Sequence, residues 1–342
     1  MSLSFRATNP SDGPRLAALF KNMLGMSPGS PGLDPKFMAW KYWEPRADWN
    51  EARSYVLEKD GVILAHAGIW PLTFTFQSGA NPARGIQMID WAAASGAAGA
   101  GLALLRRFVA MFDFIYSVGG SDATRRILPI FGFRPCAKAW RAARPVRPIR
   151  QILTHQTKNW KLLPRLLRNY IWSRHPIETL DHGWTAHQVS PDQFISGADP
   201  LCSPRSQAFF EYLHRCPTAD FTLWQIADSN VSVGFFSLAL VRGQARIAGL
   251  WLRDSKQETW KTAYLLAQRT ARSIKSVLEI VAGGTEGVSA EAATQAGLRV
   301  RETVPVYLFI PKGKCSFPEG FQFQLADDDE AFLDSGSYSY LT

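Results

Sequence analysis

The sequence predicts a mixed α/β protein built from two related units in tandem. One observation is that a strand, a glycine-rich loop and a helix follow one another within residues 85–135. Another is that the strand and helix patterns of the first half recur in the same order after Trp184. The length of 342 residues and the hydrophobic content of 46% suffice for two ordinary cores.

Periodicity and turn residues define the elements that open the first unit. They predict a strand at 4–7, a helix carrying Leu16 to Leu24, a second helix from Asp34 to about Pro45, and a hairpin of strands at 54–58 and 62–76. Pro14 fits the first turn of the first helix, and Lys59-Asp60-Gly61 supplies the hairpin turn.

A glycine-rich loop is the strongest functional signal in the chain. An apolar strand at 86–94 runs into Ser95-Gly96-Ala97-Ala98-Gly99-Ala100-Gly101, and a helical apolar pattern begins at Leu102. The start of a helix exposes backbone N–H groups and the positive end of the helix dipole, so this arrangement suits a phosphate. The alternative is a plain Gly/Ala turn, because short glycine motifs recur by chance.

A second strand and helix follow this loop. Residues 112–118 form a β-rich apolar run, Gly119-Gly120 interrupts it, and Ser121 or Asp122 can cap a new helix. That helix covers 123–131 and ends at Gly132, which Phe133 follows.

In this succession of motifs the first half of the chain resembles the GNAT acyltransferase superfamily. The acyl-CoA loop of that superfamily has Arg or Gln, two residues, Gly, one residue, and then Gly or Ala. Gly96, Gly99 and Gly101 match the spacing, and Gly132-Phe133 matches the Gly-Phe of the later helix, whereas Gly96 stands where Arg or Gln is usual. The resemblance implies two GNAT-like units, each a mostly antiparallel, centrally splayed sheet flanked by helices, and acetyl-CoA or another acyl-CoA as cofactor.

The resemblance also implies which residues would hold the cofactor. Ala92 to Ala94 would lie near the acyl group, backbone N–H groups of 97–102 would hold the pyrophosphate, and Arg125 and Arg126 would meet phosphates or form a solvated helix face. The predicted cofactor residues are Ala92, Ala93, Ala94, Gly96, Ala97, Ala98, Gly99, Ala100, Gly101, Leu102, Ser121, Arg125 and Arg126.

Three residues are candidate catalytic groups. Asp90 lies on the central strand with Ile86 and Met88 on the same face, and these apolar neighbours would raise the pKa of its carboxyl. His66 on the preceding strand and Tyr116 on the following strand are the other two. Each has a structural alternative. Asp90 would be a buried hydrogen-bond acceptor, His66 a lone core or surface histidine, and Tyr116 a core tyrosine.

Two further expectations concern the acceptor side and the leaving group. Trp40 and Tyr42 fall where the superfamily builds its acceptor wall, so they would bind substrate or else pack on the sheet. Many members place a Tyr, as general acid for the thiolate, where this chain has Leu128. Neither a metal site nor a nucleophile motif is predicted.

The predicted domain boundaries follow the repeat. We expect a first unit at 1–143, a basic linker at 144–183, a degenerate second unit at 184–313 and an acidic, aromatic tail at 314–342. The second unit has Asp254-Ser255-Lys256-Gln257-Glu258 in place of the glycine loop. We therefore expect one acyl-CoA site, in the first unit, and a solvated tail, with docking of the tail on the basic segment as the alternative.

The net charge of +9 comes from one segment. Residues 123–177 hold thirteen Lys and Arg and no Asp or Glu, whereas the rest of the chain has 25 basic and 29 acidic residues. This segment predicts an anionic partner. Residues 149–172, which are basic with Trp and Leu, would lie on an anionic membrane surface or form a linker helix packed on both units.

The sequence thus predicts a cytoplasmic N-acyltransferase that uses an acyl-CoA and a small amine acceptor. Peripheral attachment to the inner membrane face is compatible with this prediction. No signal peptide is evident, and the four cysteines lack a metal or disulfide pattern. The analogy to tandem relatives suggests an amino sugar of surface-polysaccharide synthesis. Alternatives are a Fem-type aminoacyl transferase that uses charged tRNA, and a non-catalytic CoA-binding or membrane-surface protein.

Overall fold

The chain folds into two compact units, each assembled from three stretches of sequence. The computed structural model describes residues 3–74, 82–154, 162–174, 180, 183–193, 205–314 and 321–342. The first unit comprises Met1–Cys136, Pro200–Pro217 and Pro305–Phe321; the second comprises Ala137–Asp199, Thr218–Val304 and Gln322–Thr342.

The described strands and helices follow one another much as the periodicity predicts. The strands are β1 (Leu3–Ala7), β2 (Ser54–Lys59), β3 (Val62–Phe74), β4 (Ala83–Ala93), β5 (Phe114–Val118), β6 (Arg134–Pro145), β7 (Trp184–Val189), β8 (Asp220–Asp228), β9 (Val231–Val241), β10 (Gln244–Leu252), β11 (Glu279–Thr285) and β12 (Arg299–Phe309). The helices are α1 (Gly13–Met23), α2 (Pro35–Met38), α3 (Ala100–Met111), α4 (Asp122–Ile127), α5 (Pro148–Leu153), α6 (Leu162–Arg174), α7 (Gln207–His214), α8 (Gln257–Ser273) and α9 (Val288–Gln295).

The sheet of the first unit has the order β1-β2-β3-β4-β5 and ends on the last residues of β12. Its neighbouring strands are antiparallel except β4 and β5, which are parallel and are joined through α3. Helix α3 packs Leu104 and Phe108 on one face of this sheet, and α1 packs Leu16 and Phe20 on the other. The site described below is built around β4, between these two cores.

The second unit repeats this topology with the order β6-β11-β10-β9-β8-β7. Strands β10 and β11 are parallel and are joined through α8, as β4 and β5 are joined through α3. Helices α8 and α9 cover one face with a core that includes Tyr264, Leu265 and Ala292. The two units therefore form a tandem repeat of one mixed α/β fold.

The units do not follow the predicted boundaries as single stretches of sequence. Helix α7 belongs to the first unit, where Tyr212 stacks on Trp40 with the ring centroids 4.9 Å apart. The predicted linker at 144–183 supplies α5 and α6 to the second unit. These assignments depend on contacts between residues far apart in sequence, which hydrophobic periodicity does not reveal.

The expectation of a solvated tail is wrong. Asp327 and Phe332 are buried in the second unit, where Asp327 accepts a bond from the Gln324 N–H at 2.9 Å. At the end of the tail, Arg165 of α6 donates to the carbonyl oxygens of Tyr340 and Thr342. The alternative, docking on the basic segment, therefore holds for this end.

Two further findings bear on the predicted location and thiols. Of the helices in the described part of the chain, none is both long and apolar enough to cross a membrane. Cys136 is a half-buried thiol and Cys216 is buried, and Cys202 and Cys315 lie outside the described residues.

Candidate active site

The parallel strands β4 and β5 separate halfway along their length. Their register runs only from Gly85 opposite Phe114 to Gln87 opposite Tyr116, although β4 continues to Ala93 and β5 to Val118. Beyond Gln87 the edge of β4 that faces β5 therefore has no strand partner among the described residues. Unpaired backbone N–H and C=O groups at such an edge are ready to bind an extended ligand.

A β-bulge on β4 lies beside this opening. The register with β3 shifts, since Ile89 is opposite Gly68 and Ala92 is opposite His66, so that β4 has one extra residue. Asp90 in the bulge has φ = +48°, a left-handed conformation that is uncommon for a residue other than glycine. Strain of this kind persists where the surrounding contacts fix it, and it is frequent at functional sites.

The bulge inverts the face that Asp90 occupies. Ile86 and Met88 pack with Leu104 of α3, as strand alternation predicts. Asp90 instead accepts bonds from Lys41 and Tyr42, and Tyr42 belongs to the core around α1. The prediction that Asp90 shares a face with Ile86 and Met88 is therefore wrong, because one extra residue shifts the alternation.

Asp90 forms a compact cluster with Lys41 and Tyr42. The Tyr42 hydroxyl and the Lys41 ammonium both lie 2.5 Å from Asp90 Oδ2. Lys41 is 3% exposed and Asp90 is 13% exposed, so the ion pair is largely shielded from water. No donor among the described residues contacts Oδ1 of Asp90, which leaves that oxygen able to accept a hydrogen bond.

The predicted pKa shift of Asp90 has the wrong sign. Burial alone raises the pKa of this carboxyl, but the charge of Lys41 and the hydrogen bonds from Lys41 and Tyr42 outweigh burial. The pKa of Asp90 therefore lies below its usual value, and the group is a carboxylate at neutral pH. Lys41 lies in a π-helical turn, Ala39–Trp43, and turns of this type are frequent at functional sites.

His66 is a buried neutral imidazole that holds the bulge. It has no exposed surface, and burial lowers its pKa to about 4. Its Nδ1 lies 3.0 Å from the Asp90 carbonyl oxygen, which can only accept, so Nδ1 carries the proton. Its Nε2 lies 2.9 Å from Ser54 Oγ and accepts from that hydroxyl. With both nitrogens engaged, His66 has no lone pair to offer a substrate.

A chain of hydrogen bonds continues from His66 toward the π-helical turn. The Trp43 indole N–H donates to Thr8 Oγ1 at 2.9 Å, and the Thr8 hydroxyl donates to Ser54 Oγ at 2.7 Å. Each hydroxyl accepts one bond and donates the next, so the chain has a single direction from Trp43 to the Asp90 carbonyl. Both the backbone and the carboxylate of Asp90 are thereby tied to the turn that carries Lys41.

The glycine loop takes up two consecutive turns before α3. Gly96 and Gly99 both have φ = +81°, and their missing Cβ atoms would meet nothing within 4 Å. These glycines are therefore required by backbone conformation, since left-handed φ is costly for other residues. Gly101 is required by close approach, because a Cβ there would lie 3.1 Å from Nε1 of Trp91.

The loop offers fewer free donors than the sequence predicts. The N–H of Ala97 bonds to the Ala94 carbonyl, and the N–H of Ala100 bonds to the Ala97 carbonyl. These two turn bonds correct the prediction that every amide of 97–102 is available. Among the described residues, none accepts from the N–H groups of Ala98, Gly99, Gly101 and Leu102.

The structure places the other predicted cofactor residues around this opening and in α4. Ala92 and Ala93 pair with β3 opposite His66 and Ala65, and the Ala94 N–H bonds to Leu64. Ser121 caps α4 through the N–H of Thr124 at 3.2 Å. Arg125 forms an exposed ion pair with Asp122, whereas Arg126 is exposed on the same helix.

Three further residues are buried away from solvent. Leu128 lies in the core beneath α3, so no proton donor occupies that position. Tyr116 packs against Phe321 with the ring centroids 5.7 Å apart, and no described contact links it to Asp90. Trp40 is stacked on Tyr212, and its indole donates to the Tyr212 carbonyl. The prediction that Trp40 stacks on a substrate is wrong, because neighbouring rings cover it.

The second unit has the same opening, but its tail fills it. Strands β10 and β11 are in register only from Gln244 to Ile247, although β10 continues to Leu252. The amide of Gln324 bonds to both the N–H and the carbonyl of Leu250, at 2.7 and 2.9 Å. The Thr285 N–H on β11 bonds to the Phe323 carbonyl. The backbone groups that are open in the first unit are thus satisfied in the second.

The helix start of the second unit carries a carboxylate. Asp254 accepts from the Lys256 N–H at 2.9 Å and from the Thr259 hydroxyl at 3.2 Å. A carboxylate already placed at the N-terminus of α8 repels a phosphate. In the described part of the chain, the first unit alone therefore combines an open strand edge with a following helix start that lacks a carboxylate.

The chain has the fold of solved GCN5-related N-acetyltransferases, among them a protein with two such units in tandem. The chain is similar in structure to a tandem GNAT protein from the clavulanic acid biosynthesis pathway, with a TM-score of 0.56, 9% identity, and coverage of 91% of this chain and 99% of that one. No model of a protein family and no curated protein matches the sequence.

Two more solved structures have the same fold. A GCN5-related N-acetyltransferase from Anabaena variabilis matches with a TM-score of 0.53 and 12% identity over 91% of this chain and 73% of that one. A probable N-acyltransferase from Enterococcus faecalis matches with a TM-score of 0.56 and 10% identity over 91% of this chain and 72% of that one.

Sequence reasoning missed Lys41 and the hydrogen-bonded chain through Thr8 and Ser54. The one available signal for Lys41 is its place in the aromatic run Trp40-Lys41-Tyr42-Trp43, because a lysine among aromatic residues must find a counter-ion if it is buried. No local pattern indicates Thr8 or Ser54, since their partners lie on other elements.

Proposed function

We propose that this protein is an acyl-CoA-dependent N-acyltransferase, with acetyl-CoA as the first candidate donor and a small primary amine as acceptor. The observation that carries the proposal is the contrast between the two units. The same splayed strands occur in both, but only the first unit leaves the β4 edge and the start of α3 open. The second unit closes its strand edge with Gln324.

The residues of the first unit fit an acyl-CoA. The N–H groups of Ala98, Gly99, Gly101 and Leu102 would hold phosphate oxygens, helped by the dipole of the twelve-residue helix α3. The exposed Arg126 would add a positive charge. When bound, acyl-CoA would supply an acyl group activated as a thioester, and the open edge of β4 would take the extended arm that carries it.

Asp90 is the residue that we assign to the amine. Its Oδ1 would accept a hydrogen bond from the acceptor nitrogen and then take the proton that nitrogen loses as it bonds to the acyl carbon. An amine becomes a much stronger acid once it forms that bond, so a carboxylate of low pKa suffices. The carbon–sulfur bond breaks in exchange, and solvent protonates the thiolate because Leu128 has no proton to give.

Lys41, Tyr42 and His66 would act by positioning Asp90. Lys41 and Tyr42 hold Oδ2, and His66 holds the carbonyl, which leaves Oδ1 as the oxygen presented to the acceptor. An amino sugar of surface-polysaccharide synthesis is the first acceptor class to test, because a carboxylate beside a phenol suits a ligand rich in amino and hydroxyl groups.

The test is a thiol-release assay with acetyl-CoA and a panel of primary amines that includes amino sugars. We expect the wild type to release thiol with at least one amine, and the Lys41→Met/Asp90→Asn double variant to lose about 100-fold or more in rate. The double variant removes both charges together, so neither is left buried alone, and unchanged stabilisation by coenzyme A would show that it is folded. Absence of thiol release with every amine, together with co-purified tRNA that moderate salt removes, would replace this proposal with the aminoacyl transferase.

A further inference from the structure

Helix α6 in the second unit presents its apolar side chains to solvent. Leu163, Leu167 and Ile171 are 68%, 62% and 55% exposed, and Tyr170 is also exposed. Their spacing along the helix places them on one side, because residues three, four or eight positions apart share a face. Helix α5 also exposes large apolar side chains, at Ile149 and Leu153.

The opposite side of α6 is buried and carries the polar Asn169 and Ser173 beside Leu162 and Trp172. Asn169 donates to Gln151 of α5 at 3.3 Å, and Gln151 in turn donates to Thr342 Oγ1 at 2.8 Å. A helix on the surface of a soluble domain normally turns its apolar stripe toward the core, whereas α6 leaves Leu163, Leu167 and Ile171 in solvent. The exposed stripe of leucine and isoleucine on α6 therefore indicates an interaction surface.

Arginines lie on α6 and against its buried side. Arg299 and Arg301 lie over the Trp172 ring of α6, with their guanidinium carbons 4.4 and 4.9 Å from its centroid. Nε and Nη2 of Arg301 are buried and have no hydrogen-bond partner among the described residues. Burial, together with the nearby charges of Arg168 and Arg299, lowers the pKa of Arg301 by more than the charge of Glu279 raises it.

No acidic residue of the described chain forms a salt bridge with Arg168, Arg174, Arg299 or Arg301. Arg168 and Arg174 lie in the segment 123–177, which holds no Asp or Glu. Glu302, which follows Arg301 in the sequence, forms its ion pair with Arg141 instead. Arg168, Arg174 and Arg299 are exposed, and exposed guanidinium groups bind phosphate oxygens, often in pairs. These three residues, the arginine border of the helix, thus fit an anionic, phosphate-bearing surface.

We propose that the outer face of α6, with its arginine border, docks on the surface of a membrane that contains anionic phospholipid. Leu163, Leu167 and Ile171 would enter the boundary between headgroups and acyl chains, and the arginines would contact headgroup phosphates. A second copy of the chain fits less well, because a symmetric pairing through this face would bring the two arginine clusters together.

Vesicle flotation tests the proposal with two lipid compositions, phosphatidylcholine alone and phosphatidylcholine mixed with phosphatidylglycerol. We expect the wild type to float with the mixed vesicles and to be released by high salt. Leu163→Glu/Leu167→Glu should weaken this binding by about ten-fold or more. Each change removes apolar surface that the membrane would bury and adds a negative charge that anionic lipid repels. Val231→Glu is the matched control, since Val231 is an equally exposed apolar residue of the same unit.

Three results would overturn the proposal. The first is equal flotation with both lipid compositions, and the second is binding that the leucine double variant does not weaken while its melting temperature stays unchanged. The third is a wild type that forms a dimer in solution, does not float, and becomes a monomer in the leucine double variant. If inorganic phosphate at millimolar concentration abolishes flotation while equal ionic strength of chloride does not, the arginines form a site for a free anion instead.

Discussion

At the scale of single residues, the buried ion pair of Lys41 with Asp90 determines what the site can do. Its atoms are 2.5 Å apart and nearly hidden from water. Removing one partner of such a pair leaves the other as an uncompensated buried charge, whereas removing both does not. The stability of the site and the position of the Asp90 carboxylate therefore depend on Lys41.

This predicts a strong coupling between the two residues. Asp90→Asn should lower the free energy of unfolding by about 3–5 kcal/mol, because the Lys41 ammonium loses its counter-ion. Adding Lys41→Met to that variant should recover much of the loss. Urea unfolding of both single variants and the double variant measures the coupling, and losses that simply add would contradict it.

The buried His66 predicts a specific dependence of stability on pH. Its pKa is 6.5 in the unfolded chain and about 4 in the fold, so between these values only the unfolded chain binds the proton. Stability should therefore fall by about 3 kcal/mol as the pH falls through this window. His66→Asn keeps a donor for the Asp90 carbonyl and should reduce that slope, as urea unfolding at a series of pH values would show. The exposed His187→Asn is the control for the loss of a histidine away from Asp90.

The sequence predicted which residues line the site better than how they are arranged. Asp90 and Tyr42 were both expected there, and they touch. Strand alternation could not reveal the bulge that turns Asp90 toward Tyr42, because a bulge depends on the pairing with β3. The predicted direction of the pKa shift of Asp90 was wrong for the same reason, because Lys41, which lowers this pKa, lies on another element.

At the scale of elements, the glycine loop is the part that the sequence predicted most fully. Each glycine has a local reason, either a left-handed φ or contact with Trp91, so spacing alone located the turn. The two turn bonds that occupy the N–H groups of Ala97 and Ala100 were not predictable, because they depend on how the loop closes.

The loop conformation yields a graded prediction at Gly99. Gly99→Ala should lower the free energy of unfolding by about 1–2 kcal/mol, because an L-residue is strained at φ = +81°. Gly99→Asn should cost less, since asparagine tolerates this conformation better. Thermal unfolding of the two variants measures the difference, and equal losses would show that backbone strain is not the cause.

At the scale of the whole molecule, the sequence could predict the tandem repeat. It could not predict which segments of the chain belong to each of the two units. The repeated order of elements follows from periodicity and turn residues. The assignment of α7 and the end of β12 to the first unit depends on pairings over more than a hundred residues. The position of the tail was equally unpredictable. Its acidic composition suggested exposure to solvent, whereas Gln324 bonds to the open edge of β10 in the second unit.

The tail contact predicts a structural role that is separate from ligand binding. Gln324→Ala should lower the free energy of unfolding by about 1–3 kcal/mol, because the N–H and carbonyl of Leu250 both lose their partner. Stabilisation by coenzyme A should be unaffected, since the proposed site is in the first unit. Thermal unfolding with and without coenzyme A would check both statements, and an unchanged melting temperature would contradict the first.

The central claim is that one open site, at the start of α3, binds the cofactor. Calorimetric titration with coenzyme A tests it most directly in the wild type, Ala98→Glu and Ala98→Gln. Ala98 is exposed, and no described residue accepts from its N–H. Glutamate there adds a negative charge, and glutamine matches the size of glutamate. We predict one site per chain, retained with glutamine and weakened at least about ten-fold with glutamate. Equal affinity in the two variants, or two sites per chain, would contradict the account.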